Sequence, residues 1–146
     1  MNYLDYIYII TPVLLAIIIN ATIYLLGWNS KNNKNKLLPP GWMIGTIWII
    51  IFGFLGMFLQ IAIKSKDYVT IMLLSILILI CLAYPFYTNG LKRNAQSVKY
   101  DFIILIYILV MTSIIFYKNR DKNIVYMLPI IIWVSYVNIV DFLTKQ

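Results

Sequence analysis

The chain contains no histidine and one cysteine, its five acidic residues are all aspartates, and only 12% of its residues are charged. Without histidine, the His/Cys metal sites and the Ser-His-Asp arrangements of hydrolases are excluded. A single cysteine builds no internal disulfide framework. That residue, Cys81, lies inside an apolar run and reads as packed rather than reactive. Soluble domains carry about 25% charged residues. Here the charged fraction is about half that, beside 62% hydrophobic residues and a mean hydropathy of +0.86. Such a composition belongs to an integral membrane protein. The net charge of +7 does not point to nucleic acid, because the lysines and arginines stand in short clusters between apolar runs rather than along one basic face. They read as membrane-flanking charges. No catalytic residue and no metal ligand set is assigned.

Charges divide the sequence into five apolar runs, 7–26, 42–63, 68–91, 102–117 and 124–140. A bilayer core of roughly 30 Å needs about 20 helical residues at 1.5 Å each, and the first three runs supply them. The last two are shorter and are expected to recruit Asp101 and Asp141, giving spans over 101–117 and 124–143. The first run has no basic residue before it, unlike a signal peptide, and reads as a retained helix. In lipid each helix must satisfy its own backbone. The expected architecture is therefore all-α, a single domain over 1–146 built as an integral membrane bundle of five transmembrane helices.

The second run carries the most local detail. Pro39 and Pro40 suit the start of a helix, where a missing N–H is unpaired anyway, so α-helix is predicted from about Pro40 to Trp42 onward. Gly41, Gly45 and Gly53 recur at multiples of four, a small-residue stripe suited to close approach of a neighbouring helix. Asn20, in the middle of the first run, is a candidate for an interhelical hydrogen bond. Trp28 and Trp42 stand at run ends, where indoles anchor at the membrane interface. Asp101 is expected to be structural, either capping its helix or pairing with a basic residue of a loop.

An odd number of spans puts the first loop, the third loop and the C-terminus on one side. That side holds Lys31, Lys34, Lys36, Lys92, Arg93, Lys99 and Lys145, against Lys64, Lys66, Lys118, Arg120 and Lys122 on the other. The excess favours a cytosolic first loop and C-terminus. The basic first loop is expected to attract anionic lipid headgroups and carboxylate-bearing ligands alike.

These residues resemble the translocator protein family, also called tryptophan-rich sensory proteins or peripheral benzodiazepine receptors (TspO/MBR). The family pattern of two prolines followed at fixed spacing by glycine, tryptophan and an aromatic is met by Pro39, Pro40, Gly45, Trp48 and Phe52, with Gly56 beyond. Trp28 and Lys34 fall where the family has a tryptophan and a lysine upstream. In the fifth run Pro129, Trp133, Tyr136, Val137, Val140 and Asp141 keep the family spacing, with Tyr for Phe, Val for Ala and Asp for Asn. The third run departs further, since Tyr84 replaces a tryptophan and Cys81 an asparagine.

The resemblance implies a bundle whose pocket opens toward the first loop and accepts flat hydrophobic ligands. These are chiefly porphyrins, haem among them, and sterols such as cholesterol in animal members. No cofactor is required. The implied ligand-binding residues are Trp48, Trp133, Pro39, Gly45, Phe52, Val137, Asn138, Asp141 and Tyr84, with Trp28 and Lys34 on a loop flap. On spacing alone, Trp48 lies about 12 Å below Pro40 and the two indoles fit core packing as well as ligand contact. The family's cholesterol motif needs a basic residue soon after a tyrosine at the end of the fifth helix, and Lys145 stands too far from Tyr136. The implied role is transport, sensing, reception or stress-related handling of such ligands, with a homodimer in the lipid bilayer as the expected assembly. Alternatives are an enzyme-like, light-dependent degradation of porphyrin on the two indoles and a ligand-free helical scaffold. A bacterial inner membrane, a mitochondrial outer membrane and a virus-encoded copy in a host membrane all fit.

Overall fold

A computed structural model describes residues 2–27, 37–86, 95–119 and 121–144. Five α-helices follow one another: α1 (Tyr3–Leu25), α2 (Gly41–Lys64), α3 (Tyr68–Pro85), α4 (Ala95–Asn119) and α5 (Leu128–Thr144), with a 3-10 segment, Asp121–Met127, leading into α5. No strand occurs among the described residues. The all-α bundle expected from the sequence is the fold observed. By length and apolarity α1, α2 and α3 can each cross a membrane, and the apolar parts of the other two helices are shorter, Ile103–Phe116 and Ile124–Val140.

Local chemistry explains the helix ends. The backbone N–H of Asn2 donates to Asp5 Oδ2 at 2.8 Å, so α1 begins before the apolar run, with an acidic residue in its first turn. Gly27 closes that helix at φ 65, a left-handed conformation costly for other residues, and its N–H donates to the Tyr24 carbonyl. Pro40 is the N-cap of α2, as the double proline predicts. At the far end of α2, Asp67 accepts from Thr70 N–H through Oδ1 and from its hydroxyl through Oδ2, which starts α3 after a short turn.

The capping role expected of Asp101 is corrected. The fourth helix starts at Ala95, so Asp101 falls in its second turn, too deep to cap it; Asp101 Oδ2 is buried with no hydrogen-bond partner among the described residues, and the basic side chains of the first and third loops lie outside them. The fifth run is an apolar helix over Ile124–Val140, but its first turn is 3-10 and α-helix begins at Leu128, since Pro129 has no N–H to donate to the Val125 carbonyl. The third span was expected to run to Leu91; α3 is described to Pro85, and the positions after Phe86 lie outside the described residues.

Helix α2 is the hub of the bundle, touching α1, α3, the 3-10 segment and α5. Its closest neighbour is α1, which runs antiparallel along its glycines: Asn20 lies against Gly45, Val13 against Gly53, and Tyr8 and Ile9 against Gly56. Lys64 at the end of α2 pairs with Asp5 at the start of α1 at 2.8 Å. The expected interhelical bond of Asn20 is present, its Nδ2 donating to the Gly45 carbonyl at 3.2 Å. Replacing Asn20 with alanine should lower stability by about 1 kcal/mol, read as a shifted unfolding midpoint in detergent. An unchanged midpoint would show that this bond carries no net stabilisation.

The core holds Leu55, Phe58, Leu74, Leu77, Leu109, Phe116, Met127, Ile130 and Val134, all essentially inaccessible, and Cys81 is buried with them. Phe58 and Phe116 meet edge to face across α2 and α4. Elsewhere the outward faces are as apolar as the core. Leu79 and Ile132 are each 65% exposed, and Ile18, Ile103 and Ile139 are exposed as well. Contiguous apolar surface of this kind is lipid-facing surface in a bilayer. The protein is an integral membrane protein.

Candidate functional site

The sequence-predicted aromatics lie in or against the one hydrophobic core that all five helices build. Phe52 on α2 and Trp133 on α5 are buried in it, and Trp48, Tyr84 and Val137 pack against it half-buried. Helical spacing accounts for the pairings. Trp48 and Phe52, four residues apart on α2, have ring centroids 5.9 Å apart at 38°; Trp133 and Tyr136, three apart on α5, are also at 5.9 Å, at 30°. Each indole therefore rests on an aromatic of its own helix, and the two indoles make no ring contact with each other.

The polar candidates divide. Asn138 is half-buried, and its Nδ2 donates to the Val134 carbonyl of its own helix at 2.8 Å. Asp141 falls in the last turn of α5, and its side chain lies outside what is described. Gly45 presents its α-carbon to Asn20, so that face is a helix–helix contact. Pro39 is half-buried at the entrance to α2, and Trp42 just beyond it is exposed, in the place of an interfacial anchor. Trp28 and Lys34 lie outside the described residues. No three His, Cys, Asp or Glu side chains come together among the described residues.

One contact escaped the sequence reading. The Tyr136 hydroxyl donates to the backbone carbonyl of Leu37, two residues before the double proline. This places the C-terminal half of α5 at the loop end of α2, and Trp133 lies one turn deeper than Tyr136. Trp48 lies about 10 Å below the start of α2, so both indoles sit below the same end of the bundle. The signal in the sequence was the hydroxyl itself, since a tyrosine in an apolar helix needs a partner for its O–H.

With that geometry in place, comparison with protein-family models matches the TspO/MBR family over residues 8–144, nearly the whole chain. The chain belongs to the TspO/MBR family. No curated protein and no solved structure matches it. This TspO/MBR chain has Pro40 at the N-cap of α2, Trp133 of α5 in the hydrophobic core and Trp48 of α2 packed against it.

Proposed function

We propose that this membrane protein binds flat hydrophobic molecules, porphyrins and other tetrapyrroles first and sterol-like compounds second, and serves their transport, sensing or stress-related handling. The observation that supports this reading is that two within-helix aromatic pairs, Trp48 with Phe52 on α2 and Trp133 with Tyr136 on α5, lie below the end of the bundle where Pro39 enters α2, with Phe52 and Trp133 in the core and Trp48, Tyr84 and Val137 packed against it. Aromatic faces stack on a planar macrocycle, and indole N–H groups donate to its carboxylates or carbonyls. Lysines of the first loop add attraction for propionate groups as they approach. A homodimer in the bilayer, with the first loop and the C-terminus toward the cytosol, belongs to the same reading.

The test is a titration of the purified protein in detergent with protoporphyrin, haem, cholesterol and an isoquinoline-type compound, read by tryptophan fluorescence. Saturable quenching by the two tetrapyrroles is expected. If none of the four saturates, or the chain is isolated only as a stable subunit of a heteromeric complex, the reading falls and the scaffold alternative replaces it.

A further inference from the structure

Two ring contacts fix the heights of neighbouring helices against one another. Phe58 of α2 meets Phe116 of α4 edge to face, with centroids 3.8 Å apart. Lys64 ends α2 six residues beyond Phe58, about 9 Å at 1.5 Å per residue, whereas Lys118 stands two residues beyond Phe116, about 3 Å. The first charged position past the apolar run of α4 therefore comes about 6 Å before that of α2. The chain returning from α4 gives the same offset independently. Tyr126 of the 3-10 segment lies against Phe54, with centroids 6.2 Å apart. Lys122 is four residues before Tyr126, about 8 Å at the rise of a 3-10 helix, while Lys64 is ten residues beyond Phe54, about 15 Å. Lys122 thus stands about 7 Å above the level of Lys64. At the first-loop end no such step occurs: Trp42 is sixteen residues before Phe58 and Asp101 fifteen before Phe116, about 24 and 22 Å.

The deeper level is shared by α1, α2 and α3. Asp5 of α1 pairs with Lys64, and α3 begins at Tyr68 after a short turn. Near these ends Leu4, Val69 and Met72 are each more than half exposed, so hydrocarbon must reach them. On the α4 side the chain has already turned polar at that depth. A lysine can bridge such a gap by snorkelling. The carbonyls that end a helix, and a carboxylate as short as that of aspartate at Asp121, have no such reach.

We propose that the corner where α4 passes into the 3-10 segment is a docking surface for phospholipid headgroups, at which the leaflet opposite the first loop dips by about 6 Å toward the bilayer midplane. Lys118 and Lys122 suit the headgroup phosphates, and the shortened apolar face of α4 fits the thinned leaflet. Along α1 and α2 the leaflet keeps its full thickness. The dip is independent of any small-molecule ligand.

Spin labels on single added cysteines test it, Met57→Cys on α2 and Ile114→Cys on α4, in the full chain in phosphatidylcholine nanodiscs. Both positions are exposed on the outside of the bundle. Cys81 is buried and stays in place, the parent protein serving as the blank. Each label's depth below the local headgroups is read from its accessibility to oxygen against a water-soluble nickel chelate. Ile114 stands two residues above Phe116 and Met57 one above Phe58, so under a flat leaflet Ile114 reads about 1.5 Å deeper. With the dip it is expected to read about 4 Å shallower than Met57. Ile114 as deep as Met57, or deeper, means a flat leaflet with snorkelling lysines and overturns the proposal. Free access of the chelate, as in water, makes the corner a water-filled notch, and access of neither reagent makes it a protein–protein contact; both overturn it too. Adding Lys118→Leu and Lys122→Leu should deepen the Ile114 label by about 3 Å, and an unmoved label removes the lysines from the headgroup surface. The first comparison leaves the corner unaltered, so it decides even if the leucine variant does not fold.

Discussion

Replacing Gly56 with alanine should destabilise the protein more than the same change at any other glycine facing α1, and replacing it with leucine should separate α1 from α2. A Cβ at position 56 would stand 2.9 Å from the Ile9 α-carbon, 2.9 Å from its carbonyl oxygen and 3.0 Å from that of Tyr8. All three are backbone atoms of a packed helix, which cannot rotate aside as a side chain can. Pro12, buried in α1, adds to the reason for this closeness. It has no N–H to give to the Tyr8 carbonyl four residues earlier. In a bilayer no water replaces that donor. A Cβ at position 56 would stand 3.0 Å from that freed carbonyl, so the crossing there takes glycine.

The other glycines of α2 grade the expectation. At Gly53 the nearest atom to a new Cβ is a Val13 methyl at 3.8 Å, an ordinary contact, and at Gly41 nothing lies within 4 Å. Alanine at Gly53 should be neutral or gain up to about 1 kcal/mol from helix propensity. At Gly45 the obstruction is the Asn20 amide at 3.2 Å, which can shift at the expense of its bond to the Gly45 carbonyl. Gly56→Ala should cost about 1–3 kcal/mol, the usual range for overpacking. Unfolding in mixed detergent micelles gives the order Gly56, Gly45, Gly53, from worst to mildest. Equal midpoints for the Gly56 and Gly53 variants would refute the tight crossing.

The same glycines show how far the sequence carries. Five helices were legible, three of them long enough to cross a membrane, because a charge inside the hydrocarbon core is costly and lysines and aspartates therefore mark boundaries by themselves. Of the expected stripe of Gly41, Gly45 and Gly53, the last two meet α1 while Gly41, at the helix start, meets nothing within 4 Å; these two and the hydrogen-bonding role of Asn20 were legible from the sequence. That Gly56 is the closest crossing was not, since it depends on a proline in another helix. Helix ends were legible where a cap sits beside its partner in sequence, as at Pro40. They failed where the cause lay elsewhere: α4 begins six residues before Asp101. The α-helical start of α5 moved because Pro129 removes a donor from the turn before it. Among the candidate ligand residues, Trp48, Phe52 and Trp133 come from the family resemblance, whereas the Tyr136 bond to Leu37 spans 99 residues and leaves no periodic trace.

The double substitution of Trp48 and Trp133 by alanine should weaken protoporphyrin binding by on the order of a thousandfold. Stacking an aromatic ring contributes about 0.5–1.5 kcal/mol beyond the apolar area it buries, and burial adds a comparable amount. About 2 kcal/mol for each indole gives about 4 kcal/mol for the pair, and each 1.4 kcal/mol is a factor of ten. Because the two indoles lie on different helices and do not touch, their contributions should be close to additive, with each single variant about thirtyfold weaker. Tryptophan quenching is the wrong readout here, since the substitutions remove two of the four tryptophans; the porphyrin's own absorption band reports binding equally in every variant. Trp133 is only 9% exposed, so its loss also opens a cavity that could lower affinity indirectly. Phenylalanine at both positions separates the two effects. It fills most of the volume and keeps a ring to stack, so Trp48→Phe with Trp133→Phe should retain affinity within about tenfold of wild type. If the alanine pair binds as tightly as the wild type while remaining folded, the aromatic cluster is core packing alone and the ligand sits elsewhere.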